Sequence, residues 1–255
     1  MEEWRLIEVE YPGRAGLNLA IEEALLRQAS EKRSPPVVRF WRNEKAVVVG
    51  YSQCVEDEVN LRLCRARGVE VIRRISGGGA VYHDLGNLNY SIVINSHHPL
   101  IKGLDIQESY RVFLSGVIEC LRNFGVNPSF DPPNSLLIKD RKISGNAQTR
   151  KKGMILHHGT LLINSNLSLL SEVLKPPKRP YRKRGVPSKR RLVTNLSDEI
   201  ARKISVQDVK EVLIRSFEDA FSVRLVRSAL TLEEMEISQI LYDEKYSRRE
   251  WNFWR

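Results

Sequence analysis

Three consecutive glycines, Gly77 to Gly79, fall between two β-prone segments, and few folds accommodate such a run. It removes every Cβ from a turn, so the backbone can take φ > 0 and approach a ligand closely. Val69-Glu-Val-Ile72 predicts a strand before the run, and Asn89-Tyr-Ser-Ile-Val-Ile94 predicts one after it. Arg73 and Arg74 lie just upstream, while Ser76, Tyr82 and His83 place polar side chains beside the turn. A glycine turn between strands, flanked by guanidinium groups, suits a nucleotide phosphate. No Gly-Lys-Ser/Thr follows, so it is not a P-loop; no G-x-G-x-x-G opens a helix, so it is not the dinucleotide fingerprint. An ordinary hairpin would need only one or two glycines.

At 255 residues the chain can bury one large core, or one core and a small appendage. Its apolar runs are too short to span a membrane. Met1-Glu-Glu-Trp-Arg5 lacks a basic segment leading into an apolar one, which argues against a secretory signal. Three cysteines, Cys54, Cys64 and Cys120, have neither the number nor the spacing of a disulfide framework or a zinc knuckle. A reduced, cytoplasmic protein is expected. The net charge of +10 is concentrated between Lys175 and Arg191, where prolines and Gly185 predict a loop. Such a loop can be a solvated surface, a nucleic-acid patch or a flap over a polyphosphate.

Leu17, Ile21, Ala24, Leu25 and Gln28 trace one stripe of a helix. Tyr110, Phe113, Val117, Cys120, Leu121 and Phe124 trace a second, within Ile106–Phe124, so Cys120 is expected in the core. Val37–Trp41 and Ala46–Gly50, joined by 42–45, predict strands, as do Ser135–Ile138 and Met154–Asn164. The segment 200–255 predicts a helix near Val206–Ala220, a strand at Val223–Val226, and a helix with capping-box spacing from Thr231. Strands and helices in mixed order predict an α+β fold, not a βαβ repeat.

These blocks together resemble the lipoate–protein ligase family. Phe40-Trp41-Arg42-Asn43 leads to Val47-Val-Val-Gly50-Tyr-Ser-Gln53, like the family's tryptophan, strand and Gly-x-x-Gln. Then come the glycine run, Arg141-Lys142-Ile-Ser-Gly-Asn-Ala-Gln148 and Leu156-His-His-Gly-Thr-Leu-Leu162. Lys183–Lys189 and Arg191–Asn195 resemble its basic loop near the adenylate. The blocks follow family order over roughly residues 37 to 195.

The resemblance implies a single catalytic domain: a mixed β-sheet flanked by helices, similar to biotin/lipoate–protein ligases and class II synthetases. It also implies activation of lipoate with ATP and magnesium to lipoyl-AMP, then transfer to a lysine. The acceptor would be a lipoyl carrier domain, in a 2-oxoacid dehydrogenase acyltransferase subunit or a glycine-cleavage carrier protein. Lys142 would sit between carboxylate and α-phosphate, in the turn Lys139-Asp-Arg-Lys142, with Gly145 and Ala147 in family positions. Arg74 would be the phosphate ligand of its pair, Arg73 facing the other way on extended chain. Ser76, Gly78, Gly79, Ala80, Val81, Tyr82 and His83 would line nucleotide and acyl chain, and Asn87 would contact phosphate or metal. His158 and Thr160 would face the ligand and Trp41 would wall the acyl tunnel. Adjacent His157 and His158 point to opposite faces and cannot chelate one metal, so magnesium would be held by phosphates and not by a protein cage.

Larger family members continue into an accessory domain after a Trp-Asn-Phe segment, whereas Trp251-Asn-Phe253 lies at the end of this sequence. That domain is therefore expected to be absent, and a separately encoded small partner is expected to help activation. The close rival is an octanoyltransferase, which relays an acyl group through a cysteine where this chain has Ser129; serine is a far weaker nucleophile without a base. A nucleic-acid-binding protein is a more distant rival, because Tyr181 alone offers stacking in the basic loop. A biotin ligase would place arginines between the glycines.

Overall fold

The computed structural model describes residues 1–31, 34–175 and 191–254. The first elements are β1 (Glu2–Ile7), α1 (Ala15–Glu31), β2 (Val37–Trp41), β3 (Lys45–Val49), α2 (Val55–Glu58), α3 (Leu61–Arg67) and β4 (Glu70–Arg73). The glycine run leads into β5 (Val81–Asp84), β6 (Asn87–Asn95) and α4 (Ile106–Asn123). Then come β7 (Ser129–Asp131), β8 (Ser135–Ile138), β9 (Arg141–Lys151), β10 (Met154–Leu162) and α5 (Leu167–Val173). The last part holds α6 (Leu196–Glu199), α7 (Val206–Phe221), β11 (Val223–Arg227), α8 (Leu232–Leu241), a π-turn (Tyr242–Tyr246) and α9 (Arg249–Asn252).

A mixed sheet in the order β11-β1-β2-β6-β10-β9-β8-β7 forms the centre, parallel at β11-β1-β2 and antiparallel elsewhere. Side chains alternate across its pleat. Phe40, Tyr90, Ile92 and Leu161 pack on one face with residues of α4 and α7. Trp41, Val93 and Leu156 pack on the other with residues of α1. Both faces are covered, so β6 is apolar or buried along nearly its whole length.

The predicted helices form where their apolar stripes can be buried. Gly116 of α4 lies against the Phe217 ring, and a Cβ there would collide with it, so α4 and α7 approach closely. Capping boxes begin three helices: Asp105 with Glu108, Ser205 with Asp208, and Thr231 with Glu234. Cys120 is fully buried in this core.

Residues 42–45 carry the chain out of the large sheet, because β3 belongs to a second, three-stranded sheet in the order β4-β3-β5. The glycine run therefore joins β4 to β5, not directly to β6, and these two strands flank β3 on opposite sides. It is a crossover over the end of β3 and not a hairpin. Gly78 adopts φ 85°, open to glycine at no steric cost. Gly50 backs onto it so closely that an added Cβ would collide with the Gly78 carbonyl.

Most of the basic loop, residues 176–190, lies outside the described residues; Lys175 and Arg191 at its ends are described. No helix among the described residues is long and apolar enough to cross a membrane.

Candidate active site

Directly opposed residues in neighbouring strands share a face. One rung across the large sheet runs Gly145–Thr160–Asn89–Trp41, and the next runs Ala147–His158–Ser91–Arg39. The glycine run and His83 of β5 lie over these rungs and enclose a cavity of about 300 Å3. Its lining draws together Trp41, Arg74, Gly78, Gly79, Ala80, Val81, His83, Lys142, Gly145, Ala147, His158 and Thr160. A second cavity of about 530 Å3 is lined by Tyr82, Ile143, Ser144, Leu162, Leu170, Leu174 and Lys175, among others. Ala80, Val81, Lys142, Gly145, Thr160 and Arg191 line both. The two cavities meet at Lys142.

Lys142 is not in the turn predicted for it. The turn is shorter, with Lys139 at φ 47°, and Lys142 is already the second residue of β9. Its amide donates to the Leu192 carbonyl at 2.7 Å, and its own carbonyl accepts from Thr194 at 3.0 Å. The segment after the basic loop thus acts as an extra edge that fixes the lysine backbone. Burial, with Arg74 and Arg191 beside it, pulls the ammonium down to about 8 against the opposing pull of Asp131. A site with this much positive potential is built to receive anions. Gly145 supplies the space for the side chain, since a Cβ there would lie 2.6 Å from Lys142 Cε and Nζ. Gly145→Ala should therefore push the amine aside and lower turnover at this site about 10²-fold with little change in melting temperature. A turnover assay beside a thermal melt measures both.

His158 is held by a buried chain of hydrogen bonds. Its Nδ1 contacts Glu22 Oε2 of α1 at 2.9 Å, and its Nε2 contacts Ser76 Oγ at 2.6 Å. Ser76 Oγ accepts from Arg74 Nε at 3.0 Å, and Ser91 donates to Glu22. Burial by itself would raise the Glu22 carboxyl, yet His158, Ser91 and Arg39 hold it below the usual carboxylate range. Arg74 spends its remaining donors on carbonyls of Val48, Gly77 and Gly79, at 2.6 to 3.1 Å. In this structure it shapes the glycine run as well as lining the cavity. Arg73 does face the other way: it donates to carbonyls of Gly50, Tyr51 and Gln53 and to those of Trp251 and Asn252.

Ser76 and Asn87 line neither cavity. Ser76 sits behind the wall as a support for His158. Asn87 lies one step beyond Asn89 on the same face and donates to its Oδ1 at 2.8 Å. His157 points to the opposite face, into Phe113, Tyr110 and Tyr90, and burial drives its imidazole well below 6.5. It is a neutral core residue.

Sequence reasoning missed Glu22, Asn89, Asn146 and the turn from Asp131 to Asn134. Asn18 and Glu22, one helical turn apart beside the apolar stripe of α1, were the available signal for a buried polar flank. Nothing local marks residues 131–134. They reach the cavity because Asn134 and Asn146 exchange backbone and side-chain hydrogen bonds, Asn134 Nδ2 donating to Asn146 O and Asn146 Nδ2 to Asn134 O.

The cysteine sulfurs lie elsewhere. Cys54, Cys64 and Cys120 are all buried and none lines either cavity. Burial pushes the thiols of Cys64 to about 11 and Cys120 to about 12, so neither is a thiolate at neutral pH. Ser129 is exposed on the edge strand β7, outside both linings. Among the described residues, no cluster of three or more His, Cys, Asp or Glu could hold a metal ion.

The family model described as the lipoyl protein ligase A/B catalytic domain matches residues 14–218. This chain belongs to that family. Lipoate-protein ligase A subunit 1 of Thermoplasma acidophilum is 34% identical, with 98% of this chain and 96% of that protein covered. Octanoyltransferase LipM of Brevibacillus brevis is 32% identical over all of both chains. A T. acidophilum chain solved in a study of a bi-partite lipoate protein ligase and its E2 lipoyl domain superposes with TM-score 0.87. It is 33% identical, covering 99% of this chain and 97% of that one. A lipoate-protein ligase A solved with ATP gives 0.85 at 32% identity, covering 99% of each chain. The mixed sheet flanked by helices is therefore the lipoate-ligase catalytic fold. Family membership leaves two chemistries, ligase and acyltransferase, on one scaffold.

Proposed function

We propose that this chain is the catalytic subunit of an ATP-dependent lipoate–protein ligase. The observation that carries this reading is the position of Lys142, a half-buried amine at the junction of two cavities, with no thiol in the lining of either. A relay through an enzyme cysteine needs a sulfur within reach of the acyl carbon. An adenylate-forming enzyme needs a cation facing two anions at once.

The acid's apolar chain would lie across the rung from Gly145 to Trp41, and the nucleotide would fill the larger cavity beside Tyr82, Lys175 and Arg191. A carboxylate oxygen attacks the α-phosphorus, the bond to pyrophosphate breaks, and pyrophosphate leaves. Lys142 neutralises the charge gathered between the reactants and then hydrogen-bonds the acyl-adenylate. A carrier lysine amine attacks the acyl carbon, AMP departs, and the amine sheds its proton to solvent. Arg74 and His158 keep the glycine run and the rung in register; Asn87 supports Asn89. The described residues offer no cage for magnesium, which would come bound to the phosphates of ATP. The T. acidophilum relatives, one solved with bound lipoic acid and one in a bi-partite system with its E2 lipoyl domain, support lipoate as substrate and a lipoyl domain as acceptor. They also support a separate small partner.

Incubating the chain with lipoate, ATP–magnesium and an apo lipoyl domain should add one lipoyl mass to the domain. If mass appears only when a small partner is added, the ligase reading holds and the partner is required. Acylation from an octanoyl-carrier thioester without ATP would instead establish the transferase, which the LipM relatives keep as the second reading.

A further inference from the structure

Most polar groups around the acyl cavity already have partners. Trp41 Nε1 donates to Ser91 Oγ at 3.0 Å, the Arg74 donors go to carbonyls and Ser76, and Thr160 Oγ1 donates to Gly145 O at 3.4 Å. Two groups differ. His83 Nε2 and Asn89 Nδ2 are buried atoms with no hydrogen-bond partner among the described residues. Their residues, 4% and 2% exposed, both line the cavity.

The state of His83 is fixed by a chain of donors that begins at an arginine. Arg39 Nη2 can only donate, so Asn18 presents Oδ1 to it at 2.8 Å. Asn18 Nδ2 then donates to Asn43 Oδ1 at 2.9 Å. Asn43 is left with its Nδ2 facing His83 Nδ1 at 3.2 Å. His83 Nδ1 must accept, so the proton of the neutral ring sits on Nε2. Burial, with Arg74 nearby, pulls the imidazole down to about 3, which keeps it neutral. The ring therefore carries its unpaired N–H on Nε2, in a residue that lines the cavity and stands T-shaped to Trp41 with centroids 5.8 Å apart.

The donors stand at the end of the cavity remote from the chemistry. Asn89 is two strands from Gly145 and Trp41 is three, roughly 10 and 14 Å at the usual strand spacing. A chain anchored by its carboxylate at Lys142 would bring its far end to them.

We propose that His83 and Asn89 are specificity-determining residues that select an acid carrying a hydrogen-bond acceptor at its far end over a plain hydrocarbon of equal length. The inference rests on the ligase reading above. Within the substrates of that reading the acceptor is the ring sulfur pair of lipoate, weak but polarisable. An octanoyl chain would leave two buried donors unpaired, and sites with such donors reject ligands that lack the matching group.

Direct titration of lipoate and of octanoate into the whole chain, without ATP, tests this. The wild type should bind lipoate about tenfold more tightly, and His83→Phe should bring the two within about twofold, chiefly by tightening octanoate. An unchanged ratio in His83→Phe, or no preference in the wild type, would overturn the proposal and leave the ligase reading intact. Binding of neither acid would overturn both. Should His83→Phe fold poorly, 15N spectra of the wild-type imidazoles decide: a neutral His83 protonated on Nε2 at pH 5 is expected, and the other tautomer would refute the argument.

Discussion

Lys142→Ala should lower the rate of lipoyl-AMP formation about 10³-fold, the cost of removing one preorganised charge from a developing anionic transition state. Lys142→Arg should not restore it, because Gly145 leaves room for a slim ammonium and a planar guanidinium is broader. The fold should survive, since the side chain contributes charge and not core packing. Stability should even improve in Lys142→Met by about 1 kcal/mol, roughly 3 °C, after discounting for the partial exposure of the amine. The pH dependence has a definite sign. The folded-state amine titrates near 8, below the ordinary 10.5, so the unfolded chain binds more protons between those values. Wild-type stability should therefore rise from pH 8 toward 10.5 relative to Lys142→Met, while adenylation falls above pH 8 as the free enzyme loses its ammonium. Pyrophosphate release and thermal melts across that range measure both. Adenylation that persists in Lys142→Ala would remove Lys142 from the chemistry.

Glu22→Ala should cost about 3 kcal/mol, lowering the melting temperature by roughly 6–12 °C, because it strands partners inside the protein. Ser91 would lose its acceptor and His158 Nδ1 its carboxylate, both of them buried residues. Lipoate affinity should fall about tenfold as His158 and Ser76 lose their alignment beneath the glycine run. Glu22→Gln keeps the shape and the Ser91 bond but removes the charge, and should sit between. The folded carboxyl lies below its ordinary 4.5, so its contribution is complete above 4.5 and is lost as pH falls through the lowered value. The gap between wild type and Glu22→Gln should accordingly close in acid. Chemical denaturation at several pH values would show it; a constant gap would mean that the carboxylate is not the group being stabilised.

Periodicity and punctuation in the sequence determined the elements themselves. The apolar stripes of α1 and α4, the capping box at Thr231 and the strand at Val223 depend on neighbours a few residues away, so local reading suffices. The glycine run, Lys142 with Gly145, and His158 with Thr160 were legible as a site because the ordered set resembles one family. Pairing is not local. That residues 42–45 carry the chain between sheets, that the glycine run crosses β3, and that Lys142 lies within a strand held by Leu192 and Thr194 follow only from which strands find each other. The same holds for Glu22 under His158 and for the relay from Arg39 to His83. A hydrogen bond between residues 136 positions apart leaves no spacing in the chain, yet burial makes it obligatory once the sheet and α1 have closed over it.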